Sequence, residues 1–171
     1  MPGALQLGSN LTLEIPEQTR FMSQNSLSAP ALLGTWYLAQ AYAIDDHNHR
    51  LYDVYGDKPS GVICYGADGR MMALIAHADR PLLTGDRQAA PADERAAAYK
   101  TSIGYAGRFE LDGDWVMHHV DVSTYPNWVG GTLRRQARLE NGHLVLLTAP
   151  QMQDGVRTVI RLVWQREPIG V

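Results

Sequence analysis

The sequence predicts an all-β fold, an eight-stranded antiparallel up-and-down barrel with one short helix in a mouth loop. Three observations carry this. From Leu33 onward, apolar residues recur at every second position, the period of a half-buried strand. Asp68-Gly69, Asp112-Gly113, Asn141-Gly142 and Asp154-Gly155 are pairs that accept the positive φ of tight hairpins. Short and long links alternate along the chain, as they do when successive connections lie at opposite ends of a barrel.

The elements follow in order. Residues 1–30 are rich in Ser, Gln, Asn and Pro, with short apolar pieces at Leu5, Leu7, Leu11, Leu13 and Ile15. They are expected to form an N-terminal extension, an edge segment or flap or else a disordered tip, ahead of a barrel domain over 31–171. Strands are predicted near 34–44, 60–66, 70–77, 104–111, 115–123, 132–140, 143–149 and 156–166. In the first, Trp36, Leu38, Gln40, Tyr42 and Ile44 are expected to share one face. A helix is predicted after Pro91, with Asp93 and Glu94 at the positive end of its dipole. Ala96, Tyr99 and Ile103 would lie on one side, and Gly104 would end it. The links after the second, fourth and sixth strands are tight turns. Those after the first, third, fifth and seventh are long. One end is therefore expected to be closed and the other to be a mouth ringed by loops, where function usually sits. A barrel of about eight strands can enclose one small ligand.

Composition narrows the function. The chain has 171 residues, 45% of them hydrophobic, and a net charge of −3, enough for one domain with a real core. The basic residues are scattered, so no footprint for nucleic acid or an anionic membrane is expected. No stretch approaches the ~18 apolar residues needed to span a bilayer. The first 30 residues carry no apolar run and no basic leader, which predicts a cytoplasmic protein. Asn10-Leu11-Thr12 fits a glycosylation pattern that reads as chance without secretion. The one cysteine, Cys64, excludes an internal disulfide or cysteine zinc site and reads as a small buried hydrophobe.

Gly34-Thr35-Trp36 resembles the lipocalin signature, in which Gly-x-Trp opens the first strand and the indole plugs the closed end. The segment from His118-His119-Val120-Asp121 through Tyr125-Pro126-Asn127-Trp128-Val129-Gly130, with Arg161-Leu162-Val163-Trp164-Gln165-Arg166, is similar to a family of bacterial and fungal lipocalin-like domains over about residues 33–166. The resemblance implies a lumenal cavity. Members often stand beside biosynthetic enzymes, and related barrels catalyse cyclisations or isomerisations without a cofactor. No catalytic set transfers with the resemblance.

Pairing through Asp112-Gly113 predicts Phe109 opposite Val116, Gly107 opposite His118 and Tyr105 opposite Val120, all on an inward apolar face. Gly107 would leave space beside the imidazole for a ligand or another backbone. In 132–140, Leu133, Arg135, Ala137 and Leu139 form the inward face. Pairing through Asn141-Gly142 sets Leu139 opposite Leu144, Ala137 opposite Leu146 and Arg135 opposite Thr148. Arg135 is then the one charge on an inward face, at a height similar to His118. It is a candidate for a ligand carboxylate, enolate or carbonyl; the alternative is an ion pair or carbonyl contacts that tie strands together. His118 is a candidate acid–base group; the alternative is a core histidine bonded to a tyrosine or backbone carbonyl. Gln40, Tyr42, Tyr65, Met72, Tyr105, Phe109, Val120 and Trp128 are candidate ligand-lining residues, with Trp128 capping the cavity. Adjacent His118 and His119 point to opposite faces and make no metal site. His119, Asp121 and Ser123 share a face about 7 Å apart, too far for nucleophile activation, and His47-Asn48-His49 reads as a solvated turn.

The expected function is a cofactor-independent isomerase, cyclase or lyase acting on a small apolar molecule, its catalytic candidates His118 and Arg135. The alternatives are a non-catalytic carrier of small hydrophobic ligands, or an interaction module whose cup is filled by its own side chains. No cofactor, metal, nucleic acid or membrane partner is expected; a homodimer is allowed.

Overall fold

A computed structural model describes residues 27–153 and 155–167, so the expectations for residues 1–26, including Asn10, lie outside the described residues. A short helix, α1 (Ala29–Leu32), leads into β1 (Gly34–Ile44). Then come β2 (Arg50–Asp53), β3 (Pro59–Tyr65), β4 (Arg70–His77), α2 (Ala92–Lys100), β5 (Ser102–Asp112) and β6 (Trp115–Ser123). A 3₁₀ turn (Pro126–Trp128) precedes β7 (Thr132–Glu140), β8 (His143–Thr148), β9 (Gln151–Gln153) and β10 (Val156–Gln165). Strands pair in the order β1-β3-β4-β5-β6-β7-β8-β10, and β1 pairs with β10 to close the ring. This is the predicted eight-stranded antiparallel barrel. β2 and β9 are two additional short strands, on β1 and β10 respectively.

Turn chemistry sets the registers. Asn141 (φ 50°) and Gly142 (φ 82°) both take positive φ, the requirement of a type I′ hairpin. Leu139 faces Leu144, Ala137 faces Leu146 and Arg135 faces Thr148, as expected. The β5–β6 turn differs. Gly113 (φ 57°) occupies the first central position and the two-residue loop is Gly113-Asp114, so Asp112 faces Trp115. From Asp112 back to Gly107 each partner moves by two: Phe109 faces His118 and Gly107 faces Val120. An even shift keeps the faces, so His118 still points inward.

Two bulges break the simple alternation. The β1–β10 register slips between Leu38 and Gln40. Trp36 and Leu38 point inward before it, Ala41 and Ala43 after it. Gln40 is therefore exposed, and Tyr42 is half-buried outside, stacked 4.4 Å under the Arg50 guanidinium. The β5–β6 register slips between Ala106 and Gly107, because Asp121 is an extra residue in β6. A Cβ on Gly107 would stand 1.8 Å from the His119 carbonyl oxygen, so only glycine permits this approach. Past the bulge Val122 turns outward, and Tyr105 faces Ser123 rather than Val120.

Helix α2 is shorter than expected. Thr101 bonds back to Ala97 and ends it, while Ile103 and Gly104 belong to β5, opposite Ile75 and Leu74 of β4. No α2 residue is buried. Its N-terminal half is tied to the preceding loop by Glu94, which accepts from the Thr84 amide at 2.8 Å and the Thr84 hydroxyl at 2.5 Å.

At the closed end Trp36, 2% exposed, donates its indole N–H to the Leu32 carbonyl at 2.8 Å. The Arg166 guanidinium lies 3.6 Å over its ring and donates to the carbonyls of Leu33 and Ala31. Leu32, Leu38, Ile63, Val116, Leu144 and Trp164 complete the core around it.

Candidate functional site

The inner faces of β3, β5, β6 and β7 converge on one polar cluster. His118, from the middle of β6, is fully buried. Its Nε2 lies 2.8 Å from the Tyr65 hydroxyl and its Nδ1 3.0 Å from the Tyr105 hydroxyl. Tyr65 comes from the end of β3 and Tyr105 from the mouth half of β5, so the imidazole bridges opposite reaches of the lumen. Phe109 packs edge-on against Tyr65 at 4.9 Å, and Val120 is buried one inward step beyond His118. Trp128, on the 3₁₀ turn, stands edge-on to Tyr105 at 5.6 Å and to Tyr125 at 5.7 Å, covering Tyr105 from the mouth side.

Arg135 faces Val116, while His118 faces Leu133. The two are diagonal neighbours on one face, roughly 7–8 Å apart at the backbone. Arg135 donates to the Arg134 carbonyl at 3.1 Å. No carboxylate pairs with it among the described residues. Its charge is felt by Tyr55, Tyr65, Tyr105 and His118. The electrostatics follow from burial. Desolvation, helped by Arg135 and then His119, pushes the His118 imidazole down to about 3. Desolvation pushes Tyr105 up to about 12, Arg135 opposing and Tyr55 adding to it, and raises Tyr65 and Tyr55 as well. At neutral pH the imidazole is uncharged and the phenols are protonated. Among the described residues, the cluster's one formal charge is the Arg135 cation.

The sequence candidates divide. Tyr65, Tyr105, Phe109, Val120, His118 and Arg135 meet in the lumen, and Trp128 covers it. Gln40 and Tyr42 lie outside because of the β1 bulge. Met72 is 56% exposed on an outer row that faces Cys64 and Ala106. That row, with Leu74, Gly104 and Val122, lines an outer apolar groove of about 430 Å³. Gly107 admits the bulged backbone of β6 and not a ligand beside the imidazole. His119 bonds to Thr132 at 2.9 Å, and Asp121 pairs with Arg70 at 2.7 Å. Ser123, past the bulge, bonds to the Gly104 carbonyl and no longer shares their face. In the 45–49 turn Asp45 accepts from the amides of His47 and His49. No cluster of three metal-ligating side chains occurs among the described residues.

Tyr55 was not singled out by the sequence, since a lone tyrosine in a long link has no periodicity to place it. It packs against His77, ring centroids 5.8 Å apart, beside a mouth cavity of about 100 Å³ that also touches Asp57, Lys58, Pro81 and Thr101.

No helix among the described residues is long and apolar enough to cross a membrane. A 4'-hydroxy-3'-methoxypropiophenone carrier protein, ppsC, of Aspergillus oryzae (strain ATCC 42149 / RIB 40) is 32% identical over 85 residues, covering 44% of this chain and 77% of that protein. The lipocalin-like domain matches residues 33–167, the whole of the closed barrel, and the chain belongs to the lipocalin-like domain family.

Proposed function

We propose that the barrel is a binding protein for a small, largely apolar organic molecule, held in the lumen with an oxygen atom turned toward Arg135. The observation that carries this reading is Arg135 itself: a cation on the inner face whose charge is felt by three tyrosines, with no carboxylate paired with it among the described residues. A half-buried guanidinium without a counter-ion is costly, and a ligand oxygen relieves that cost. The relative described as a carrier supports binding as the function, and by analogy alone suggests an oxygenated aromatic ketone as a ligand type.

Binding is favoured over the isomerase, cyclase or lyase chemistry that the sequence suggests. A general acid or base works best with a pKa near the working pH. His118 is held far below it, and both ring nitrogens already face tyrosyl hydroxyls. Tyr65, Tyr105, Phe109, Val120 and Trp128 are proposed to line the ligand.

Titration of 4'-hydroxy-3'-methoxypropiophenone against the protein, followed by tryptophan fluorescence, tests this. Saturable binding to the wild-type chain, lost in Val120→Trp, which fills the lumen, is expected. No binding, together with no co-purifying small molecule by native mass spectrometry from the native source, counts against the reading.

A further inference from the structure

A neutral imidazole offers one N–H and one lone pair. In His118 both are used, one on each tyrosine. Whichever tautomer holds, one tyrosine donates its proton to the ring and the other accepts the ring N–H. The accepting tyrosine keeps its own hydroxyl proton for another partner, whereas the imidazole lone pair is consumed. Arg135 has five N–H donors, and the Arg134 carbonyl takes one of them. Among the described residues no carboxylate pairs with Arg135. Among the described residues, the polar part of the lumen thus holds a fixed cation and spare donors, with neither a free imidazole lone pair nor a negative charge.

We propose that this site takes its ligand as an oxyanion: the ionised form of an acidic phenol or enol, its oxygen facing Arg135 and the spare tyrosyl hydroxyl. The inference rests on the lumenal binding reading above. The ligand's proton goes to solvent, because no group in the cluster is free to accept it. An ether or ketone oxygen satisfies the same donors but leaves the Arg135 charge uncompensated. A nearby opposite charge favours the ionised form of an acid, and donors fixed in a water-poor site favour it further.

The pair 4-nitrophenol, which is yellow only when ionised, and 4-nitroanisole, its neutral ether, tests the inference. Bound 4-nitrophenol is expected to titrate at least about one pH unit below the free dye, an at least about tenfold preference for the phenolate. Arg135→Gln abolishes that shift and costs ionised 4-nitrophenol more affinity than it costs 4-nitroanisole. Arg135→Lys retains part of the shift, so the test stands even if the glutamine variant folds poorly. Leu74→Glu, in the outer groove, leaves the shift in place. A bound dye that titrates at or above the free value, or a shift that survives Arg135→Gln or is lost in Leu74→Glu, overturns the proposal. If 4-nitroanisole still binds in the lumen in that case, the binding reading stands. If neither compound binds the wild-type chain, both fall.

Discussion

The closed end and the lumenal cluster are built from the same strands and handle their cations in opposite ways. Arg166 at the closed end is spent: its guanidinium covers the Trp36 ring and donates to the carbonyls of Leu33 and Ala31. Arg135, within the cup, donates to one neighbouring carbonyl, and its charge is felt by Tyr55 and Tyr105. Trp36 is locked from below, whereas Trp128 is half-buried and rests edge-on against Tyr105. Stability is concentrated where Trp36 and Arg166 have protein carbonyls for their N–H donors. In the lumen one cation has no anion to match it among the described residues, and the proposed ligand site lies there.

Trp36→Ala should break the closed end most severely. It removes a buried indole together with its Leu32 hydrogen bond and the Arg166 stack, and denaturant unfolding should register a loss of about 4 kcal/mol. Gly107→Ala should come next, at about 3 kcal/mol. Its Cβ collides with the backbone at His119, and the bulge that separates the two halves of β6 must reorganise.

Acid should then act selectively on the cluster. The unfolded imidazole takes a proton below about pH 6.5, whereas folded His118 refuses it down to about 3. The unfolded state binds more protons in that window, so stability falls as the pH drops through it. The loss from this group should reach about 2 kcal/mol by pH 5. His118→Gln, which cannot titrate, should flatten the slope of unfolding free energy against pH over that range. Tyr105→Phe should have the smallest effect, about 1 kcal/mol at neutral pH, because one buried hydrogen bond to His118 is lost while the ring contacts with Trp128 remain.

Much of the barrel was legible in the sequence because strand period and turn chemistry are local. The Asn141-Gly142 turn fixed the β7–β8 register to the residue, and with it the inward orientation of Arg135. The errors arose where one residue changes the phase. The bulge after Leu38 turned Gln40 and Tyr42 outward, although the polar Gln40 in an otherwise apolar row was a signal. The Asp121 bulge turned Val122 outward and Ser123 inward, and Gly107 was its only trace in the sequence. His118 was placed correctly on the inner face. That Tyr65 would hold its other nitrogen was not legible, since it comes from a strand 53 positions away in the chain. Tyr55 reaches the cluster from a long link whose path no pattern encodes.

Ring closure has a consequence for how the chain acquires its fold. β1 and β10 pair over seven positions, from Tyr37–Gln165 to Ile44–Val159, between nearly the first and last described segments. During synthesis β1 can pair with β3 early, yet its other edge waits for the last strand. An unpaired apolar edge is a template for wrong partners, and contacts so distant in sequence form slowly. Premature release of the chain before β10 should therefore yield an open, self-associating sheet rather than a smaller cup.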